Sequence, residues 1–318
     1  MPGWGIAPGR SKTPKLPRRL HQTIPPFGNC FRSWSGDRTM ADDLQTDDAG
    51  KTAVTVSIVS HGHHRKLTPL LHDLARCPEV AQLILTRNIP EPLPSIPEGL
   101  RARTQVIDNL RTRSFAANHN TAFSLSQSPY FAILNPDLRL PENPFPALLH
   151  CIRMRPGLLV SPGVLNPTGA VEDHARRFPT PWQLLNKLLR LVRGKKTDIG
   201  GYHYVVGNEP FFADWVAGIF MLCPRETFRA LGGFDERYPL YYEDVDLCVR
   251  AWRAGFAVAV SPQVAVVHEG QRASRRDLRY LKWHLKSVVR YLLCTGWRLP
   301  IVAEAEQPVT SFDATQKP

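Results

Sequence analysis

No Cys-x-x-Cys pair occurs anywhere in the chain, and its six cysteines, at 30, 77, 151, 223, 248 and 294, are widely spaced. That pattern argues against a zinc site and a disulfide framework, so the thiols read as reduced and structural. Long hydrophobic runs are missing too. The longest uncharged apolar stretch of the body, Trp215 to Cys223, is far too short to cross a bilayer. The N-terminus has no continuous apolar segment of the kind a secretory signal needs, and the Arg18-Arg19 pair lacks the apolar stretch that should follow it. These absences predict a cytoplasmic protein. No internal repeat is present.

What is there is ordinary in bulk and uneven in placement. The 318 residues are 43% hydrophobic and 21% charged, enough for one large α/β domain with appendages. The formal charge of +12 invites a nucleic-acid reading, but residues 1–39 hold seven basic groups against one acid, half of that excess. The folded body is only mildly basic and lacks the interleaved basic and aromatic pattern that nucleic-acid binding predicts. Residues 1–51 read as a disordered Pro-rich leader, within which 1–39 is expected to be an extension upstream of Met40. Residues 52–296 form the domain, and 297–318 a flexible tail.

Along the domain, Val54–Ser60 is a strand ending in His61, followed by a short helix near Leu67 to Arg76. Leu83–Thr86 and Thr104–Ile107 are further strands, Ser114–Ser126 a helix, and Tyr130–Leu134 a buried strand that stops at Asn135-Pro136-Asp137. This alternation predicts an open, mostly parallel sheet flanked by helices. Ligands of such sheets bind beyond the carboxyl ends of the strands, where Ser60, His61, Asn88, Asn109, Asn135 and Asp137 fall. The second half holds a helix near Pro144 to Met154, a strand near Leu158 to Ser161, an amphipathic helix Trp182–Val192 and an apolar strand Val216–Cys223. Short strands Ala257–Ser261 and Val264–Val267 then lead to His268, and a long amphipathic helix Asp277–Leu293 closes the domain. Residues 52–140 read as a nucleotide-binding half and 141–296 as an acceptor half.

Four constellations can carry chemistry, each with a plainer alternative. Glu243, Asp244 and Asp246 crowd the start of a helix, where the positive end of the dipole keeps carboxylates ionised, as a general base requires; an acidic, solvated helix start has the same composition. Asp137 sits on a proline-stiffened turn, suited to a hard divalent cation, or is part of a simple turn. His268 closes a strand as a metal ligand or a structural histidine. Asp214-Trp215-Val216-Ala217-Gly218 offers Trp215 as a stacking face for a sugar or as core, and Gly218 as a place of close approach.

In their order along the chain, Val54–Ser60, Leu134-Asn135-Pro136-Asp137, Asp214-Trp215-Val216-Ala217-Gly218, Gly232-Gly233-Phe234-Asp235-Glu236, Tyr242-Glu243-Asp244-Val245-Asp246-Leu247-Cys248 and Val267-His268 resemble family 2 glycosyltransferases, most nearly the rhamnosyltransferase-like members. The resemblance spans roughly residues 52–292. It implies an α/β GT-A fold: a Rossmann-like open mixed sheet flanked by helices, in a single domain with an amphipathic C-terminal helix. It implies inverting, metal-dependent transfer from a nucleotide-sugar, a dTDP- or UDP-sugar, to a glycan or lipid-linked acceptor in surface polysaccharide synthesis. Asp137 and His268 would hold Mg²⁺ or Mn²⁺, Asp244 would be the base with Glu243 beside it, and Asp246 would orient the helix. Ser60, His61, Asn88, Asn109, Asn120 and Asn135 would line the donor, and Asp214, Trp215 and Gly218 the acceptor.

The chain departs from the family's pattern at three places. Ser60-His61-Gly62 stands where Thr-Tyr-Asn is usual, Arg87 where an aspartate reads the base, and Ser114 where a glycine opens the next helix. These changes leave open an alternative, a catalytically weak GT-A-like protein that binds sugar or nucleotide. Basic amphipathic helices at Trp182–Arg193 and near the C-terminus predict either peripheral contact with the inner face of a membrane or packing on the sheet.

Overall fold

The computed structural model describes residues 53–184, 186, 201–270, 278–295, 298–300 and 302. The leader, most of the tail and most of the predicted Trp182–Arg193 helix lie outside these residues.

The apolar runs predicted as strands form them. Four parallel strands open the domain: β1 (Val54–Ser60), β2 (Val80–Arg87), β3 (Thr104–Asp108) and β4 (Tyr130–Leu134). Helices α1 (His64–Ala75), α2 (Glu98–Arg101) and α3 (Phe115–Ser124) connect them. The second half adds β5 (Leu138–Arg139), α4 (Phe145–Met154), β6 (Leu159–Leu165), β7 (Ala175–Arg176), β8 (Phe211–Phe212), β9 (Trp215–Val216), β10 (Phe220–Pro224), α5 (Arg225–Ala230), α6 (Glu243–Arg253), β11 (Val258–His268) and α7 (Leu278–Thr295). The main sheet runs β3-β2-β1-β4-β10-β6-β11-β5, with β8 on β11, while β7 and β9 pair separately. Antiparallel β10 between β4 and β6 makes it a mixed sheet. The centre of the sheet is buried: Val54, Val56, Ile58, Phe131, Ile133 and Leu222 share one core cluster with Leu67, Leu70 and Leu148 from the helices.

β2 and β6 extend past their predicted ends, and two strand assignments change outright. Val216–Cys223 is not one strand: β9 pairs with β7, a ladder that the Ala217 N–H extends by donating to the His174 carbonyl at 2.8 Å, and the chain joins the main sheet only at Phe220. Conversely, Ala257–Ser261 and Val264–Val267 are one strand, β11, whose register against β6 shifts between Ser261 and Ala265 where Pro262 interrupts the apolar pattern.

The topology sets the site. The carboxyl ends of β1 to β4 lie along one edge, and β11 pairs with β5 so that His268 is opposite Leu138, the neighbour of Asp137. The β4–β10 ladder continues past its last strand pair, with the Asn135 N–H donating to the Ile219 carbonyl at 2.9 Å.

Candidate active site

At the turn after β4, His268 Nε2 lies 3.3 Å from Asp137 Oδ1 and 3.5 Å from Asn135 Nδ2. On the other side of the ring, Nδ1 is 2.8 Å from Glu172 Oε2. Burial works against a charged imidazole, but the hydrogen bonds and charges of Asp137 and Glu172 outweigh it and raise His268 to about 9. Burial also works against the Asp137 carboxylate, and there His268, Lys66 and His63 prevail and lower its pKa. Glu172 belongs to a turn closed by Asn166-Pro167-Thr168-Gly169, in which the Glu172 N–H donates to the Val164 carbonyl at 2.8 Å. The donor set fits a divalent cation: one carboxylate oxygen and one imidazole nitrogen converge, and a second carboxylate fixes the far ring nitrogen, as around many metal-bound histidines. Among the described residues no group of three or more His, Cys, Asp or Glu side chains converges as a complete cage.

The acidic segment opens α6. Tyr241 and Tyr242 both adopt left-handed backbone, φ 62° and 70°, a costly conformation for two consecutive aromatic residues. The bend starts the helix at Glu243, so all three acids fall in its first turn. Asp244 Oδ2 accepts the Gly218 N–H at 3.1 Å and Oδ1 accepts the Val245 N–H at 2.9 Å. Burial raises the Asp244 pKa, and those two amides oppose the rise. Glu243 is buried, its Oε2 has no hydrogen-bond partner, and burial together with the Asp244 charge raises it to about 8. Two adjacent carboxyls in one low-dielectric site hold a proton between them. The amides at Asp244 favour its charged form over that of Glu243, whose Oε2 no donor reaches. Asp246 accepts from Tyr238 Oη at 3.2 Å and from Arg250 Nε at 2.8 Å.

Gly218 reaches Asp244 because it has no side chain. A Cβ there would stand 2.9 Å from Phe115 Cζ, whose ring packs edge-on against His119 and Phe234. The Asn135–Ile219 backbone bond thus joins the Asp137 turn to the segment that holds Asp244.

Several sequence-predicted site residues have internal partners. Asn88 Oδ1 accepts from Asn109 Nδ2 at 2.8 Å and from the Arg113 N–H at 2.9 Å, and Asn109 Nδ2 also donates to Asn118 Oδ1 at 2.7 Å. His61 is exposed, with Nδ1 3.4 Å from Asn88 Nδ2, and the Ser60 hydroxyl accepts the His63 N–H at 3.2 Å. Asn120 binds the Phe234 amide and carbonyl and the Glu236 carboxylate, which ties α3 to the loop before α6. Asp214 accepts from Tyr202 Oη and from the Phe178 N–H, both at 2.7 Å. Trp215 is half-buried, donates to the Arg177 carbonyl at 3.0 Å and carries the Arg176 guanidinium 5.7 Å above its ring. At the β2 end, Arg87 makes a two-pronged ion pair with Asp108, its register partner on β3.

No family model matches the chain. It is 29% identical over 194 residues to the N-acetylglucosaminyl-diphospho-decaprenol L-rhamnosyltransferase of Mycobacterium tuberculosis, covering 53% of this chain and 57% of that protein. The chain therefore spans little more than half the length of that relative. It is 25% identical over 255 residues to rhamnosyltransferase WbbL of Escherichia coli K12, covering 75% of this chain and 92% of the relative. Among solved structures, GalNAc-T7 with UDP, GalNAc and Mn²⁺ superposes with a TM-score of 0.51 at 15% identity, over 71% of this chain and 44% of that one. That likeness concerns the fold. The mixed sheet and its strand-end edge match the glycosyltransferase fold of that structure, and in sequence the chain is similar to these two rhamnosyltransferases.

Proposed function

We propose that this chain is an inverting glycosyltransferase that moves rhamnose or a related hexose from a nucleotide-activated donor to a lipid-linked glycan acceptor at the inner face of a membrane. The observation that carries the reading is the Asp244 carboxyl, held by the Gly218 and Val245 amides at the start of α6, beside buried Glu243. A positioned, ionised carboxylate is what removes the proton from an acceptor hydroxyl as it attacks the anomeric carbon. One base facing the leaving group across the sugar implies inversion.

The leaving diphosphate needs its charge neutralised. Asp137 and His268 would hold Mg²⁺ or Mn²⁺ there, and such a cation, when bound, stabilises the departing phosphate oxygens as a Lewis acid. Glu172 keeps the His268 ring in the orientation that turns Nε2 toward Asp137. Asn135 Nδ2 lies 3.5 Å from the same nitrogen and would offer the diphosphate a neutral donor. The names of the relatives support this substrate class: one is named for a diphospho-decaprenol acceptor and both for rhamnosyl transfer.

The test is a transfer assay with purified protein, a panel of dTDP- and UDP-sugars and a prenyl-diphosphate-linked sugar acceptor, with Mn²⁺ or with chelator. Transfer with inverted anomeric configuration supports the reading, and retention of configuration removes Asp244 from the role of sole base.

A second reading, a GT-A-like binding protein without turnover, is favoured by the Arg87–Asp108 pair, which occupies the β2 end where the family's base-reading aspartate would stand. It predicts saturable binding of a nucleotide diphosphate with neither transfer nor donor hydrolysis.

A further inference from the structure

Helix α7 is unusual in what it buries. Ser287, Tyr291 and Thr295 are buried. Leu285, Val289 and Leu293, spaced at every fourth residue, are 54%, 50% and 76% exposed. That spacing places the three on one stripe of the helix, and Lys282 and Lys286 are exposed beside it. The helix is not loosely attached. Ser287 Oγ donates to the Leu240 carbonyl at 2.7 Å, Arg290 Nε donates to Asp235 at 3.0 Å, and the Tyr291 ring packs 5.3 Å from that of Tyr242. At its far end, Arg253 donates to the Thr295 and Arg298 carbonyls. Its fixed face therefore grips the strained loop that starts α6 and positions Asp244, and its apolar face is turned outward.

An exposed leucine–valine stripe flanked by lysines has the composition of a helix that lies in the plane of an anionic bilayer, apolar side chains at the acyl boundary and ammonium groups at the phosphates. A second copy of the chain fits less well. A symmetric contact through this stripe would bring Lys282 and Lys286 of both copies together, and like charges facing each other disfavour it.

We infer that the outward stripe of α7, Leu285, Val289 and Leu293 with Lys282 and Lys286, seats the protein on an anionic lipid surface, next to the loop that carries the proposed base. The inference rests on the reading of a lipid-linked acceptor for its purpose and not for its test.

The test is co-sedimentation of the full chain with phosphatidylcholine vesicles with and without phosphatidylglycerol. Wild type is expected to bind the anionic vesicles, and less strongly at high salt. Lys282→Gln with Lys286→Gln should weaken binding by about thirtyfold, given what each basic residue contributes near an anionic surface. Leu285→Ser, Val289→Ser and Leu293→Ser combined should abolish it, with far-ultraviolet circular dichroism and melting temperature unchanged. Wild-type protein that stays in the supernatant, or variants that sediment equally with it, would overturn the assignment. So would a concentration-dependent dimer that the serine variant dissociates, which would give the face to a second copy. The binding assay contains neither donor nor acceptor, so its failure and the failure of the transferase reading are told apart.

Discussion

Asp244 accepts the backbone N–H of Gly218 at 3.1 Å, a contact that crosses 26 positions of chain to join the start of α6 to the break between β9 and β10. The proposed base is thus oriented by the main chain of another element. Asp244→Asn keeps an acceptor oxygen for that amide and loses the capacity to take a proton. Turnover should fall by about 10²–10⁴-fold, with nucleotide-diphosphate binding unchanged by calorimetry. Transfer at the wild-type rate would remove Asp244 from the mechanism.

Gly218→Ala should be felt twice. Its Cβ would meet Phe115 Cζ at 2.9 Å, so the ring or the backbone must shift. Overpacking of this kind costs about 1–3 kcal/mol, readable as a lower urea midpoint, and kcat should fall because the amide is displaced. Phe115→Leu in the same chain makes room and should restore part of both. An alanine variant as stable and as active as wild type would show that the contact is easily relieved.

Glu243 makes stability depend on pH. Its ordinary pKa is 4.5 and in the fold it is raised to about 8, so the native state keeps a proton there that the unfolded chain gives up. The sign follows from linkage: this contribution is fully present below about pH 4.5 and is lost as pH rises toward 8. Glu243→Gln stays neutral throughout. Its melting temperature should match wild type near pH 4.5 and exceed it near pH 9. Parallel melting curves across that range would place the proton elsewhere.

Glu172→Gln leaves both proposed metal ligands in place and weakens only the hold on His268 Nδ1. Loss of such an outer partner typically lowers metal affinity about 10–100-fold. Titration calorimetry with Mn²⁺ in the presence of a nucleoside diphosphate is the readout. Unchanged affinity would separate Glu172 from the metal, and His268→Ala with unchanged affinity would separate His268 as well.

The sheet was legible because its strands are apolar runs bounded by turn residues, as at Tyr130–Leu134 before Asn135-Pro136-Asp137. The pairing of Asp137 with His268 was legible only in part. Each stood at a strand end, but it is the β5–β11 register that sets them side by side. Glu172 was missed, since it lies 96 positions from His268 in a loop whose acids have no period. Its one signal is the Asn166-Pro167-Thr168-Gly169 turn, which folds the chain back along β6. The interruption at Ala217 to Ile219 was hidden by its own hydrophobicity, because apolar composition does not reveal which way a backbone amide turns. Asn88, Asn109 and Asn120 were read as donor ligands from their position alone. The structure gives their amides internal partners, a matter of geometry that residue type cannot show.

The hydrogen bond from Asn135 to the Ile219 carbonyl makes the two chemical halves of the site a single mechanical part. The turn that would carry the cation and the strand break that orients the base are successive rungs of one antiparallel ladder, with Phe220 facing Leu134 in the rung behind them. A slip of that ladder by one residue would move one half past the other by about 3.4 Å, more than a hydrogen bond's length, and would turn every β10 side chain to the wrong face. The spacing between proton acceptor and diphosphate is therefore not adjustable residue by residue. Insertions in the loops can vary what the site accepts, whereas an insertion or deletion inside β4 or β10 would separate its two functions at a stroke.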